Sequence, residues 1–325
     1  TLARSCDLVV RIGALAHALQ KERGYSNLCL CSGDARMRPA LADLSHEALT
    51  LEAEVRRMLD GLAADPAAGR ARARLLNSIA HSLFRLDELA GLRRQVRDLR
   101  VPAADADARF TQAIGSLLAV VFEAADAALD PDVTRHLVAL LNFMQGKELS
   151  GQERACGVMG YTAGSFTDAQ KVRMLGLAAS QERSFGIFAQ YAEPAARQAW
   201  QQIQQQAEEM RRMRAMAQRT SAGQPLDAGL AEIWFQLCTA RIDAMRGLES
   251  LLAEALAQAC AQRIADARQE LHDRRLLLSR HAEHASGRLP SMVYSVQGRV
   301  VDQPPADGAG DELERSILDM MREQA

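Results

Sequence analysis

Hydrophobic residues recur along this chain with the 3.6-residue period of a helix almost throughout, and period-2 alternation is nearly absent. Val9, Ile12, Ala16 and Leu19 fall on one face of a helix over about 2–26. Further amphipathic stretches cover about 40–62, 67–98 and 107–128. Between them lie short segments rich in Gly, Pro and Asp: CSGDARMRP (31–39), DGLAADPAAG, RVPAADAD and DPD. Connections this short imply antiparallel neighbours, and hence a bundle. From Val133 the pattern restarts and predicts helices over about 133–149, 151–163, 168–191 and 194–219. One long element follows from about 227 to 286, with a candidate kink at Gly247. At 1.5 Å per residue it would be roughly 90 Å long. SFTD (165–168) and PLD (225–227) are helix starts, with Thr or Asp as caps. The expectation is an all-α protein of two stacked up-down helical bundles, about 1–130 and 131–285, with a long C-terminal helix.

Beyond about 285 the pattern fades. ASGRLPSMVYSVQGRVVDQPPADGAGD predicts a linker over 286–311, with one short extended piece at VYSVQGRVV. Leu313, Ile317, Met320 and Met321 then begin an amphipathic helix over 312–325 that is too short to be stable alone. It reads as the start of a connecting helix to an output domain outside this chain, and its exposed apolar face leads us to expect a homodimer.

Three arginines interrupt the apolar stripes. Arg23 lies one turn after Leu19 on the stripe of the first helix, while Lys21 falls on the opposite side. Arg154 shares a face with Gly151, Val158 and Tyr161. Arg241 sits at the centre of the stripe made by Trp234, Leu237, Cys238, Met245, Leu248 and Leu252. Arg183, in a similar Glu-Arg pair, points nearly opposite to its own stripe of Met174, Leu177, Gln181, Phe185 and Phe188. An unpaired guanidinium in a bundle interior is very costly, so each inward arginine needs a partner. One solution is a carboxylate such as Glu22, Glu148 or Glu153. The other is a bound anion, because a planar charged fork suits planar oxyanions.

Other chemistries find little support. Formal net charge is −2, which favours neither nucleic acid nor an anionic membrane. No apolar run approaches the roughly 20 residues of a membrane span, and no signal peptide is evident. The six cysteines are scattered and read as reduced core thiols of a cytoplasmic protein. None of the seven His has Glu three residues before it, which argues against a di-iron bundle. HAEH (281–284) offers at most adventitious metal binding, and RRMRAMAQR (211–219) reads as a solvated basic face. There is no phosphate-binding loop, no nucleophile elbow and no zinc-protease motif.

Three segments, HALQKERGYSNLCLCSG, LLNFMQGKELSGQERACGVMGYTAGSF and AEIWFQLCTARIDAMRGLE, in this order and spacing, together resemble the nitrate- and nitrite-sensing (NIT) domain family over about 1–285. The resemblance implies an all-helical sensor, not an enzyme, that binds nitrate or nitrite through arginines and carries no cofactor. The arginine of KERG is Arg23, that of QERA is Arg154, and that of TARID is Arg241, with Arg211 or Arg214 as alternatives to the last. Asn27, one turn beyond Arg23, is expected to supply or orient a hydrogen bond. The family joins this sensor to several outputs, and the absence of a membrane span suggests the soluble regulator of transcription antitermination in nitrate assimilation. There an RNA-binding ANTAR domain would follow the connecting helix, so RNA would be a partner only through that domain, with signalling by helix movement. The alternatives are a structural or protein-interaction bundle with internally paired arginines, and a carboxylate sensor using the same residues.

Overall fold

The computed structural model describes residues 2–33, 37–63, 71–125, 130–205, 207–220, 225–227 and 229–286. Among them the chain is all α: α1 (Leu2–Ser32), α2 (Arg38–Ala63), α3 (Ala71–Arg97), α4 (Ala103–Ala125), α5 (Pro131–Thr162), α6 (Asp168–Tyr191), α7 (Pro194–Gln205), α8 (Glu208–Arg219) and α9 (Leu230–Ser286). Apart from Ser286, the expected linker and the stub at 312–325 lie outside the described residues, as do the side chains of HAEH. The chain forms one unit over Thr1–Ala267 and a second over Arg268–Ala325.

Local chemistry sets the helix ends. The Asp130 carboxylate accepts from the N–H groups of Asp132 and Val133, and Pro131 needs no such partner at the first helical position. Thr167 caps α6 in a reciprocal box with Gln170. α1 stops at Gly33, whose φ of +66° suits glycine and whose N–H bonds the Cys29 carbonyl at 2.9 Å.

Several elements differ from the sequence reading. The helices expected over 133–149 and 151–163 are one helix, α5, with Gly151 in its interior. That glycine does not end a helix; a Cβ there would land on Nη2 of Arg23. The single helix expected over 194–219 is two, α7 and α8. Each serves a different part of the core, Trp200 of α7 packing in one hydrophobic cluster and Met210, Met213 and Ala217 of α8 in the other. α9 passes through Gly247 as one helix. The reading of all six cysteines as reduced thiols is also corrected, because Cys6 of α1 and Cys260 of α9 are joined by a disulfide; Cys29, Cys31, Cys156 and Cys238 are not disulfide-bonded.

The two clusters explain where the polar residues sit. The larger takes Leu8 to Leu19 of α1, Val133 to Met144 of α5 and Met245 to Cys260 of α9, closed by α2, α3 and α4, by Phe185 and Phe188 of α6 and by Trp200 of α7. The smaller takes Leu28 of α1, Cys156 to Tyr161 of α5 and Trp234 to Cys238 of α9, closed by α6 and α8. α1, α5 and α9 thus pass through both. Where α1 and α5 pass from one to the other, each carries buried polar residues: Gln20, Glu22, Arg23, Ser26 and Asn27 on α1, and Lys147, Glu148, Ser150, Glu153 and Arg154 on α5. Thr239 and Arg241 fall in the corresponding gap of α9. A polar belt therefore separates two apolar cores.

Candidate functional site

Arg23 and Arg154 occupy the centre of this belt, both essentially without solvent exposure. They cross reciprocally. Arg23 of α1 lies against Gly151 of α5, and Arg154 of α5 lies against Gly24 of α1, so that a Cβ on either glycine would collide with the facing guanidinium. This is the physical content of the KERG and SGQER segments: each helix supplies an arginine and a notch for the other's arginine.

Their surroundings are unequal. Arg23 donates from Nη1 to Glu148 Oε1 at 2.6 Å and from Nη2 to Glu148 Oε2 at 3.2 Å, a two-pronged ion pair, and also from Nη1 to Thr111 Oγ1 at 2.8 Å. Asp107 of α4 lies 3.8 Å from its Nε. Burial pulls the Arg23 pKa down, but Glu148 and Asp107 outweigh it and hold it above the ordinary value. Arg154 has no carboxylate within ion-pair distance among the described residues. It donates to neutral oxygens, the Gln20 carbonyl at 2.6 Å and Thr239 Oγ1 at 2.9 Å, and its charge lies 5.2 Å from the centre of the Phe235 ring. Burial, and then the positive charge of Arg23, push its pKa down to about 10. The Nε of each arginine is buried without a partner, as are Gln20 Oε1 and Asn27 Oδ1.

Asn27 is fully buried and donates to Asp107 Oδ1 at 3.5 Å, which places it beside the Arg23 cluster. Arg241 is not brought into that cluster. It donates to Gln181 Oε1 at 3.2 Å, lies over Phe185 and Trp200, and shares no hydrogen-bonding partner with Arg23 or Arg154. With Arg197, Arg211 and Arg214 it lines a cleft of about 490 Å³ among α6, α7, α8 and α9. Burial and then Arg214 lower its pKa to about 10. Arg214 turns inward to a two-pronged pair with Glu153, whereas Arg211 and Arg212 stay in solvent as expected of that basic run.

The carboxylates weighed as internal partners are all engaged: Glu148 with Arg23, Glu153 with Arg214, and Glu22 with Arg93 at 2.8 Å. Arg23 therefore has an internal counter-ion and Arg154 has none. Two features escaped the sequence reading. The period starts a helix at about Asp107, but α4 begins at Ala103 and carries Asp107 into the interior. Lys147, buried against Glu249 of α9, also breaks an apolar stripe, one turn after Met144 and two after Leu140. It interrupts its stripe in the same way as Arg23 and Arg154 interrupt theirs.

The family model described as nitrate and nitrite sensing (NIT) matches residues 14–257. The chain belongs to the NIT family. A curated relative, the nitrate regulatory protein of Klebsiella oxytoca, is 35% identical to the NIT chain over 252 residues. The match covers 77% of this chain and 62% of that protein, so the NIT chain spans somewhat under two thirds of its relative. The solved structure of the NasR transcription antiterminator superposes with a TM-score of 0.74 at 34% identity, covering 90% of the NIT chain and 79% of that one. The family is one of sensors rather than enzymes, and the matched span includes all four residues singled out above. Among the described residues, no helix is long and apolar enough to cross a membrane.

Proposed function

We propose that this chain is the sensory module of a nitrate-responsive regulator of transcription antitermination in nitrate assimilation, and that nitrate or nitrite sits between α1 and α5 against Arg23 and Arg154. The observation that carries this reading is Arg154: a buried guanidinium with no carboxylate, beside a second buried guanidinium, with Nε unpartnered. A monovalent planar oxyanion supplies the missing charge and accepts from Nε. Asn27 stands at the edge of this site beside Asp107, and Arg241 belongs to the neighbouring cleft rather than to the first contacts of the anion. α9 carries the response. Its Thr239 accepts from Arg154 and its Glu249 pairs with Lys147, so a shift of Arg154 or α5 bears directly on the C-terminal helix. We assign no RNA contact to these residues, and the cytoplasm is the compartment in which such a regulator meets RNA.

A structural role is the second reading, favoured by the two-pronged pairing of Arg23 with Glu148. Calorimetric titration with nitrate and nitrite, with chloride, sulfate and acetate as controls, separates the two. The sensor reading expects saturable binding of nitrate or nitrite that Arg154→Met abolishes. No heat with any anion, and no nitrate released on denaturation, would support the structural role.

A further inference from the structure

The fork of Arg23 is already filled, and by a group that resembles the ligand. A carboxylate and nitrate are both planar, forked, singly charged oxyanions with two oxygens disposed to accept from one guanidinium. Glu148 offers those oxygens in the position an external anion would take. Its Oε1 accepts from Arg23 Nη1 at 2.6 Å and from Gln152 Nε2 at 3.0 Å. Its Oε2 accepts from Arg23 Nη2 at 3.2 Å and from Gln20 Nε2 at 2.9 Å. Four donors from α1 and α5 thus converge on one buried carboxylate. Asp107 also neutralises Arg23 but differs in kind. It lies beside Nε at 3.8 Å, outside hydrogen-bond range, and gives its other oxygen to Arg173 at 3.0 Å.

Building on the sensor reading above, we propose that Glu148 is an internal competitor for the sensory anion. It occupies the Arg23 fork in the anion-free protein, and nitrate must displace it to reach Arg23. Glu148 therefore sets the concentration at which the sensor responds and favours ligands shaped like itself over spherical or tetrahedral anions. The exchange is tolerable inside the protein because the cluster holds surplus positive charge. Arg23 and Arg173 pair with Glu148 and Asp107, Lys147 lies near enough to act on Glu148, and Arg154 has only the more distant fields of Asp243 and then Glu148, so the carboxylate can yield the fork and stay charged within reach of Arg154 and Lys147.

The test is calorimetric titration of the whole chain with nitrate in five forms: wild type, Glu148→Gln, Glu148→Asp, Asp107→Asn and Arg154→Met. Asp107→Asn removes a negative charge near Arg23 without freeing the fork, so it measures the plain electrostatic gain. Glu148→Asp keeps the charge but draws the carboxylate back by one methylene. The expected result is nitrate affinity at least tenfold higher in Glu148→Gln than in Asp107→Asn, with Glu148→Asp tighter than wild type. Binding detectable only in the Glu148 variants would support the competitor in its extreme form. Equal gains in Glu148→Gln and Asp107→Asn, or no gain in either Glu148 variant, would overturn it. Should a variant unfold without anion, nitrate is expected to restore its thermal transition; two Glu148 variants that stay unfolded in millimolar nitrate would also overturn it. Wild type that binds while Arg154→Met does not, combined with no Glu148 effect, would leave the sensor reading standing and remove only the competitor. No binding in any form would remove both.

Discussion

Arg154 and Arg23 look alike in sequence but predict opposite behaviour on substitution. Removing Arg23 strands Glu148 as a buried carboxylate and leaves Asp107 to Arg173 alone, and breaking such a buried pair costs about 3–5 kcal/mol. Arg23→Ala is therefore expected to lose both anion binding and a large part of the stability, read as a lower thermal midpoint. Arg154→Met removes a charge with no counter-ion and replaces it with an apolar chain, so its anion-free midpoint is expected at or above wild type while binding is lost. Gly151→Ala tests the notch. A methyl directed at Arg23 is expected to cost about 1–3 kcal/mol in urea denaturation and to weaken anion binding. His17 gives a pH signature. Burial, then Lys147, Arg246, Lys21 and Arg154, lower its pKa from 6.5 to about 2, whereas Asp243, 3.9 Å from Nε2, opposes them too weakly. Between those values the unfolded chain binds a proton that the folded chain refuses, so stability falls as pH drops below 6.5, by about 1.4 kcal/mol per pH unit from this group alone. Urea denaturation at neutral pH and near pH 5 is expected to show that slope, and His17→Asn to flatten it. Periodicity placed Arg23 and Arg154 inside because each interrupts an otherwise apolar stripe. It could not show which of them finds a carboxylate, since Glu148 and Asp107 come from elements 125 and 84 positions away in the chain.

Among the helices, α5 reaches both α1 and α9 with buried charges. One turn of it carries Lys147 toward α9 and Glu148 toward α1. Lys147→Met leaves Glu249 with Arg246, at 2.7 Å, as its remaining counter-ion, and is expected to cost about 1–3 kcal/mol in chemical denaturation. The double change Lys147→Met with Glu249→Leu is expected to recover most of it, because two apolar chains need no counter-ion. The boundary expected between 149 and 151 falls beside Gly151, a poor helix former. Here the missing Cβ is a tertiary requirement, set by Arg23 of another helix. The undivided reading of 194–219 failed for the converse reason. No Gly or Pro marks the break near Ala207, which arises because α7 and α8 feed different cores. The α6 stripe was legible in full, since Met174, Leu177, Gln181, Phe185 and Phe188 are its buried residues.

Over the whole molecule, the all-α class and the order of helices followed from the 3.6-residue period, and the family from three motifs that map onto α1, α5 and the start of α9. What no periodicity could convey is that these helices change from one hydrophobic core to another, leaving a polar belt where they cross. Arg23 and Arg154 meet in that belt, and Arg241, on an equally good stripe, is held apart by Gln181. A site in the belt is fully enclosed, so an anion there gives up its hydration and must recover it from the protein's donors. Discrimination then rests on the shape of the donor set, whereas the arginines of the open cleft around Arg241 would accept many anions. The most direct measurement is a crystal structure of this chain with nitrate. The account predicts a planar anion between α1 and α5, within hydrogen-bond distance of Arg154 Nε and of Arg23. Nitrate bound in the Arg241 cleft instead, with the Arg23 and Arg154 surroundings unchanged at saturating concentration, would contradict it.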